Sequence, residues 1–112
     1  MKKVICNIKN ERGNNVANQF LMIEGADYTF VSYNTTIATL KAASATMFIN
    51  KSVFDYSRTT TRHFLNYLEN TLTAEKPTRA TVEKWIKQGY IPSDENCYNT
   101  DIDIRLVDEE EF

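Results

Sequence analysis

Glycine, proline, cysteine and histidine are all scarce in this chain of 112 residues, which has three, two, two and one of them. There is therefore no glycine-rich phosphate loop and no strand–glycine–helix fingerprint of a dinucleotide-binding protein. Cys6, Cys97 and the single histidine, His63, lie far apart in the sequence, without the closely paired spacing of zinc ligands. We expect no metal and no cofactor.

Long apolar runs are also missing. No stretch approaches the roughly 20 apolar residues of a membrane helix, and the basic start at Met1–Asn7 has no apolar region long enough for a signal peptide. We therefore expect a cytoplasmic protein that does not enter a membrane. Its two cysteines are expected to be free thiols, with a disulfide as the alternative for a secreted chain.

Acidic residues are concentrated at the C-terminal end. Residues 94–112 contain eight acidic residues and one arginine, a net charge of −7, whereas residues 1–93 carry a net charge of +5. Such a block is typical either of a solvated end or of a surface that meets a basic partner. We predict a single α+β domain over residues 1–107 and an acidic C-terminal tail over residues 108–112. The candidate acidic binding surface consists of Asp101, Asp103, Asp108, Glu109, Glu110 and Glu111.

Several runs of alternating β-branched and aromatic residues predict strands. They lie between Tyr28 and Asn50, with further strand patterns before residue 25 and after residue 100. The predicted fold class is α+β, with an antiparallel sheet of four or five strands and two helices packed on one face. We expect one core formed by Phe20, Ile23, Phe30, Ile37, Leu40, Phe48, Phe64, Leu65, Leu68, Trp85 and Ile86.

Helical spacing begins after Ser57, which we predict to be the N-cap of the first helix. A second helix is predicted from about Thr78 to Gln88, where Gly89 ends it. One apolar stripe of the first helix contains Thr61, Phe64, Leu65, Leu68 and Leu72.

The start of the first helix is a candidate anion site. A helix N-terminus offers free amides and a partial positive charge, and two arginines four residues apart lie beside it. The site would consist of Ser57, Arg58, Thr59, Thr60 and Arg62. In the alternative interpretation Ser57 only caps the helix, the threonines pack, and the arginines pair with Asp55 or Glu69.

Features of an enzyme are not apparent. His63 lies away from the apolar stripe, which indicates a surface or rim position, and no nucleophile or orienting partner is marked out near it. The carboxylates of the tail are exposed and contiguous, which does not suit tuned acid–base chemistry. We expect a protein that is not an enzyme and has no catalytic residue.

Four stretches resemble motifs of a family of small bacteriophage-encoded accessory proteins. They are Ala17–Phe20 (ANQF), Phe30–Ala38 (FVSYNTTIA), Phe54–Thr60 (FDYSRTT) and Lys84–Tyr90 (KWIKQGY), and the similarity covers about residues 16–91. The acidic extension departs from the family pattern. The function of this family is uncharacterised. The resemblance implies a viral protein made in the cytoplasm of a bacterial host cell, and such accessory proteins often inhibit host defences, including CRISPR nucleases, by binding to them.

Three functions follow as expectations. The first is a non-enzymatic, anti-CRISPR-like inhibitor that contacts a bacterial protein target, such as a CRISPR nuclease, through an acidic, DNA-mimicking surface. The alternative is a small nucleic-acid-binding accessory protein that uses a basic helix face with Arg58, Arg62, Arg79, Lys84 and Lys87. A third is an assembly domain that forms a homodimer through the edge of its sheet.

Overall fold

The computed structural model describes residues 3–112, which form seven β-strands and two α-helices. The strands and helices, in chain order, are β1 (Lys3–Lys9), β2 (Asn15–Glu24), β3 (Asp27–Ser32), β4 (Thr35–Lys41), β5 (Thr46–Asn50), α1 (Arg58–Thr71), α2 (Arg79–Gln88), β6 (Tyr90–Ile91) and β7 (Ile102–Val107). Short 3-10 helices cover Ala42–Ser44, Ser93–Glu95 and Glu109–Glu111. None of the helices in this part of the chain is long and apolar enough to cross a membrane.

All seven strands belong to one sheet, in the order β1-β2-β3-β4-β5-β7-β6. Consecutive strands from β1 to β5 pair antiparallel through short turns. Gly13 and Gly25 occupy the left-handed region there, with φ of 79° and 62°, which glycine adopts without steric cost. The α+β class with two helices is confirmed.

The predicted sheet of four or five antiparallel strands is wrong in size and in direction. The sheet is mixed, because β7 lies parallel to β5, from Thr46 opposite Asp103 to Asn50 opposite Val107. Parallel neighbours require a crossover connection, and α1 and α2 supply it by carrying the chain from the end of β5 back to the other end of the sheet. The two-residue strand β6 is too short to show any periodicity in the sequence.

One face of the sheet and both helices share a single core. Phe30 and Tyr67 stack with ring centroids 5.5 Å apart, and Phe64 lies 6.4 Å from Phe30. The Tyr67 hydroxyl donates a hydrogen bond of 2.6 Å to the carbonyl of Tyr28. Six of the predicted core residues are buried: Phe30, Ile37, Leu40, Phe64, Leu68 and Trp85. Leu65 and Ile86 are partly buried against the core.

Phe20, Ile23 and Phe48 were predicted in the core but lie outside the buried cluster. Phe48 pairs with Thr39 and Phe20 with Val31, so both rings point to the face opposite Phe30 and Leu40. Ile23 is near the β2–β3 turn and is only partly buried. On β5 the side chains in the core are those of Met47 and Ile49, the neighbours of Phe48. Leu72 and Val82, which were predicted only as inward-facing positions of the two helices, are also buried in the core. The core residues that the sequence prediction omitted are Ile8, Ala38, Met47, Ile49, Val53, Tyr67, Ile91 and Ile102.

The C-terminal segment returns to the sheet on its outer face, away from the helices. Glu111 and Phe112 line a cavity of about 290 Å³ together with Thr39, Lys41 and Phe48. The segment is held at its start by an ion pair of 2.6 Å between Asp108 and Lys51.

Candidate functional site

The hydroxyl groups of Ser57 and Thr60, at the start of α1, make hydrogen bonds within the protein. The Ser57 side chain accepts a hydrogen bond of 3.1 Å from the Thr60 amide, which confirms Ser57 as the N-cap. The Thr60 hydroxyl is buried and lies 3.2 Å from the hydroxyl of Ser32 on β3. Thr59 is exposed. Of the five predicted anion-site residues, Thr60 therefore faces the sheet, whereas Arg58 and Arg62 are exposed to solvent.

The Arg62 side chain is held by an acidic residue that is distant in sequence. Its Nε and Nη2 atoms donate to the two carboxylate oxygens of Glu11, at 3.2 and 2.8 Å. Lys76 donates to the same carboxylate at 2.7 Å. These bonds from Arg62 and Lys76 hold the pKa of Glu11 well below its ordinary value, and Glu11 in turn raises the pKa of Arg62. The alternative pairing of Arg62 with Asp55 or Glu69 is not what the structure shows.

Four basic side chains surround a cavity of about 310 Å³ beside this helix start. They are Arg58, Arg62, Lys76 and Arg79. Phe54, Tyr56 and Leu65 supply apolar lining. Thr59 and Thr60 do not line the cavity, so the structure brings Ser57, Arg58 and Arg62 together at one concave surface and leaves the other two predicted residues out of it.

The predicted acidic residues fall into two groups at opposite ends of β7. Near its start, the Asp101 carboxylate accepts a hydrogen bond of 3.0 Å from the Ser93 amide, which brings Asp94 and Glu95 close to Asp101 and Asp103. We call these four residues the start carboxylates. All four are exposed.

The second group, the C-terminal carboxylates, consists of Asp108, Glu109, Glu110 and Glu111. Asp103 and Asp108 are five residues apart along an extended chain, which separates the two groups by about 17 Å. The Asp108 ion pair with Lys51 lowers the pKa of Asp108 and raises that of Lys51. Glu111 accepts from the Asp108 amide at 2.9 Å, completing a capping box. Glu109 and Glu110 are exposed.

The sequence had suggested a surface or rim position for His63, but the residue is buried. It is 5% exposed, and its Nδ1 atom lies 3.2 Å from the side-chain nitrogen Nδ2 of Asn66. Burial lowers the pKa of His63, assisted by the charge of Arg62. Cys6 and Cys97 are exposed and unpaired. Within residues 3–112 no three histidine, cysteine or acidic side chains are grouped in a way that could hold a metal ion.

Sequence reasoning missed Lys76, Phe54 and Tyr56 as members of the basic cavity, and Glu11 as the partner of two of its cations. Glu11 lies 51 residues from Arg62 and 65 from Lys76, and no local pattern connects positions that distant. Phe54 and Tyr56 lie between β5 and α1, where neither a strand period nor a helix period applies.

A family model described as "Family of unknown function (DUF8033)" matches residues 4–84. The match spans β1 to the middle of α2 and includes every residue of the basic cavity, but it ends before both acidic groups. No curated protein and no solved structure matches the chain. Because the family model covers most of its length, the chain belongs to this family of unknown function.

Proposed function

We propose that this member of the family of unknown function is a phage-derived, non-enzymatic binding protein that inhibits a bacterial defence nuclease, such as a CRISPR nuclease, by protein–protein contact. It acts in the cytoplasm of the host cell and contacts its target through the acidic residues beside β7. The DNA-binding channel of a nuclease is basic because it must hold phosphates, and an acidic protein surface is complementary to it.

The observation that carries this proposal is the exposure of acidic side chains at the two ends of β7. Asp94, Asp103, Glu109 and Glu110 are exposed, and none of them makes a side-chain hydrogen bond or ion pair within the described residues. Asp103 lies on a regular strand, so its position is fixed by the sheet rather than by a flexible loop. Charges held on a rigid element are positioned for a partner before binding, which reduces the entropic cost of association.

The remaining four carboxylates have structural partners. Glu95 accepts from the Trp85 indole, Asp101 from the Ser93 amide and Glu111 from the Asp108 amide, and Asp108 pairs with Lys51. Neutralising these four would change the fold locally as well as the charge. A clean test of the acidic surface therefore uses the side chains without partners.

The experiment measures plasmid interference in bacteria that carry an active CRISPR nuclease directed against the plasmid. Expression of the wild-type chain should restore plasmid transformation. One variant combines Asp94→Asn with Asp103→Asn and a second combines Glu109→Gln with Glu110→Gln, so each removes two negative charges from one group. The variant whose group contacts the nuclease should lose its inhibitory effect.

The matched control combines Glu24→Gln with Glu69→Gln, which removes two exposed negative charges outside both acidic groups. This control should inhibit as the wild type does. Equal inhibition by the control and both test variants would refute the acidic-surface proposal. No restoration of transformation by the wild-type chain against any nuclease tested would count against the inhibitor function itself.

A further inference from the structure

A second concave surface lies directly beside the basic cavity. It has a volume of about 580 Å³ and runs between α2 and the segment that follows β5. Phe54 lines both cavities, so the two are contiguous. Together they form a groove along one side of α2, which we call the α2 groove.

The charge of the α2 groove is strongly positive. The first cavity has four basic side chains and the second adds Lys51, Lys84 and Lys87, whereas Glu83 is the one acidic residue among those that line either cavity. Glu83 pairs with Arg79 at 2.7 Å. Arg58, Lys84 and Lys87 make no ion pair within residues 3–112 and are exposed.

Aromatic and guanidinium planes lie in the same groove. The Arg79 guanidinium carbon is 4.6 Å from the centre of the Phe54 ring, at the junction of the two cavities. Tyr56 is 41% exposed. Its hydroxyl accepts a hydrogen bond of 3.1 Å from the side-chain Nδ2 of Asn50, which holds the ring at the groove wall. Nucleotide bases stack on aromatic rings and on arginine planes.

Glu11 pairs with two of the cations that line the groove. Its carboxylate bridges Arg62 and Lys76 from the loop between β1 and β2. Both contacts are at the surface, where ion pairs typically contribute at most about 1 kcal/mol and are screened by salt. A phosphate group can therefore replace Glu11 between the two cations at small cost.

We propose that the α2 groove binds single-stranded nucleic acid, with backbone phosphates on its basic side chains and bases against Tyr56 and the Arg79–Phe54 pair. A duplex would leave the aromatic residues in the groove unused, because its bases are stacked on one another. The groove meets the acidic groups at Lys51, which pairs with Asp108. None of the four carboxylates neutralised in the inhibitor test lines the groove, so this proposal does not depend on the inhibitor function.

The test is fluorescence anisotropy of a labelled single-stranded oligothymidylate at several salt concentrations, with the same strand unlabelled, a duplex and polyglutamate as competitors. The Arg58→Ala, Lys84→Ala double variant removes one unpaired cation from each cavity. Each lost contact at about 4 Å in water is worth about 1 kcal/mol, or roughly fivefold in Kd, so we expect the Kd of the double variant to rise about 25-fold. The slope of log K against log salt should become shallower by about 1.4, at about 0.7 for each phosphate contact to a single strand.

Lys3→Ala combined with Arg105→Ala is the matched control, because it removes two exposed positive charges outside both cavities. It should leave Kd within about twofold of the wild type, since it removes no groove contact. Tyr56→Leu should weaken binding roughly five- to a hundredfold by removing the stacking ring. Glu11→Gln should tighten binding, because it removes the competing carboxylate. A thermal melt of each variant confirms that it is folded.

The proposal is overturned if the wild type fails to bind the single strand at low salt, or if the groove variant and its control weaken binding equally. It is also overturned if duplex or polyglutamate competes as well as the unlabelled single strand does, because the groove would then recognise charge alone or an acidic peptide. Normal oligonucleotide binding by the two acidic-surface variants would show that the groove and the acidic residues act separately.

Discussion

Replacing Tyr67 by phenylalanine should change the pH dependence of stability in a way that isolates one buried hydroxyl. Tyr67 is fully buried between α1 and the sheet, and its hydroxyl donates to the Tyr28 carbonyl at 2.6 Å. Phenylalanine retains the ring stacked on Phe30 and removes only this bond. At pH 7 we expect the variant to be less stable by about 1 kcal/mol, the usual net value of a buried neutral hydrogen bond.

At alkaline pH the order should reverse. Burial raises the pKa of Tyr67, so the folded state keeps the phenol proton that the unfolded state releases above about pH 10. The stability that this group contributes is complete below pH 10 and falls by about 1.4 kcal/mol for each pH unit above it. The wild type should therefore become the less stable protein by about pH 11.

Urea unfolding of both proteins at a series of pH values from 7 to 12 measures this difference. All other titrating groups are shared, so the difference between the two curves reports Tyr67 alone. Parallel curves, with a constant gap over the whole range, would refute the buried, hydrogen-bonded placement of Tyr67 and with it the register of α1 on the sheet.

Three further predictions concern the same helix. Leu68→Ala should lower the free energy of unfolding by about 2–5 kcal/mol, because Leu68 is 1% exposed and its removal leaves a cavity; a change within error in a urea melt would contradict the core. Ser57→Ala should cost about 1 kcal/mol through loss of the cap, whereas Ser57→Asp should retain most of the stability. His63 has a lowered pKa, so its stabilising effect is complete above about pH 6.5 and declines as the pH falls below that value. His63→Gln should therefore reduce the loss of stability between pH 7 and pH 5, and unchanged acid sensitivity would rule this out.

The local features of the fold were predictable from the sequence because their causes are local. Ser57 caps the start of α1 by accepting from the Thr60 amide, and Gly89 caps the end of α2. The strands from β1 to β5 follow one another through short turns, so alternation and turn residues were enough to locate them. The inner face of β5 was misassigned because Met47, Phe48 and Ile49 are all apolar, and alternation cannot decide between two apolar faces.

The features that were missed depend on contacts between distant residues. Nothing in the sequence of β7 indicates that it pairs with β5 in parallel, since that pairing depends on how two helices carry the chain across the sheet. The bridge from Glu11 to Arg62 and Lys76 joins three separate segments. For the same reason the basic residues of α1 and α2 were known individually, but their arrangement around one groove was not.

The inhibitor proposal is tested most directly by DNA cleavage with a purified CRISPR nuclease from a strain in which the chain restores plasmid transformation. Cleavage should fall as the concentration of the wild-type chain rises. Combining Asp94→Asn, Asp103→Asn, Glu109→Gln and Glu110→Gln should abolish the inhibition while leaving the unfolding curve unchanged. Full inhibition by this neutralised protein, or cleavage that is unaffected by the wild-type chain at every concentration, would contradict the proposal.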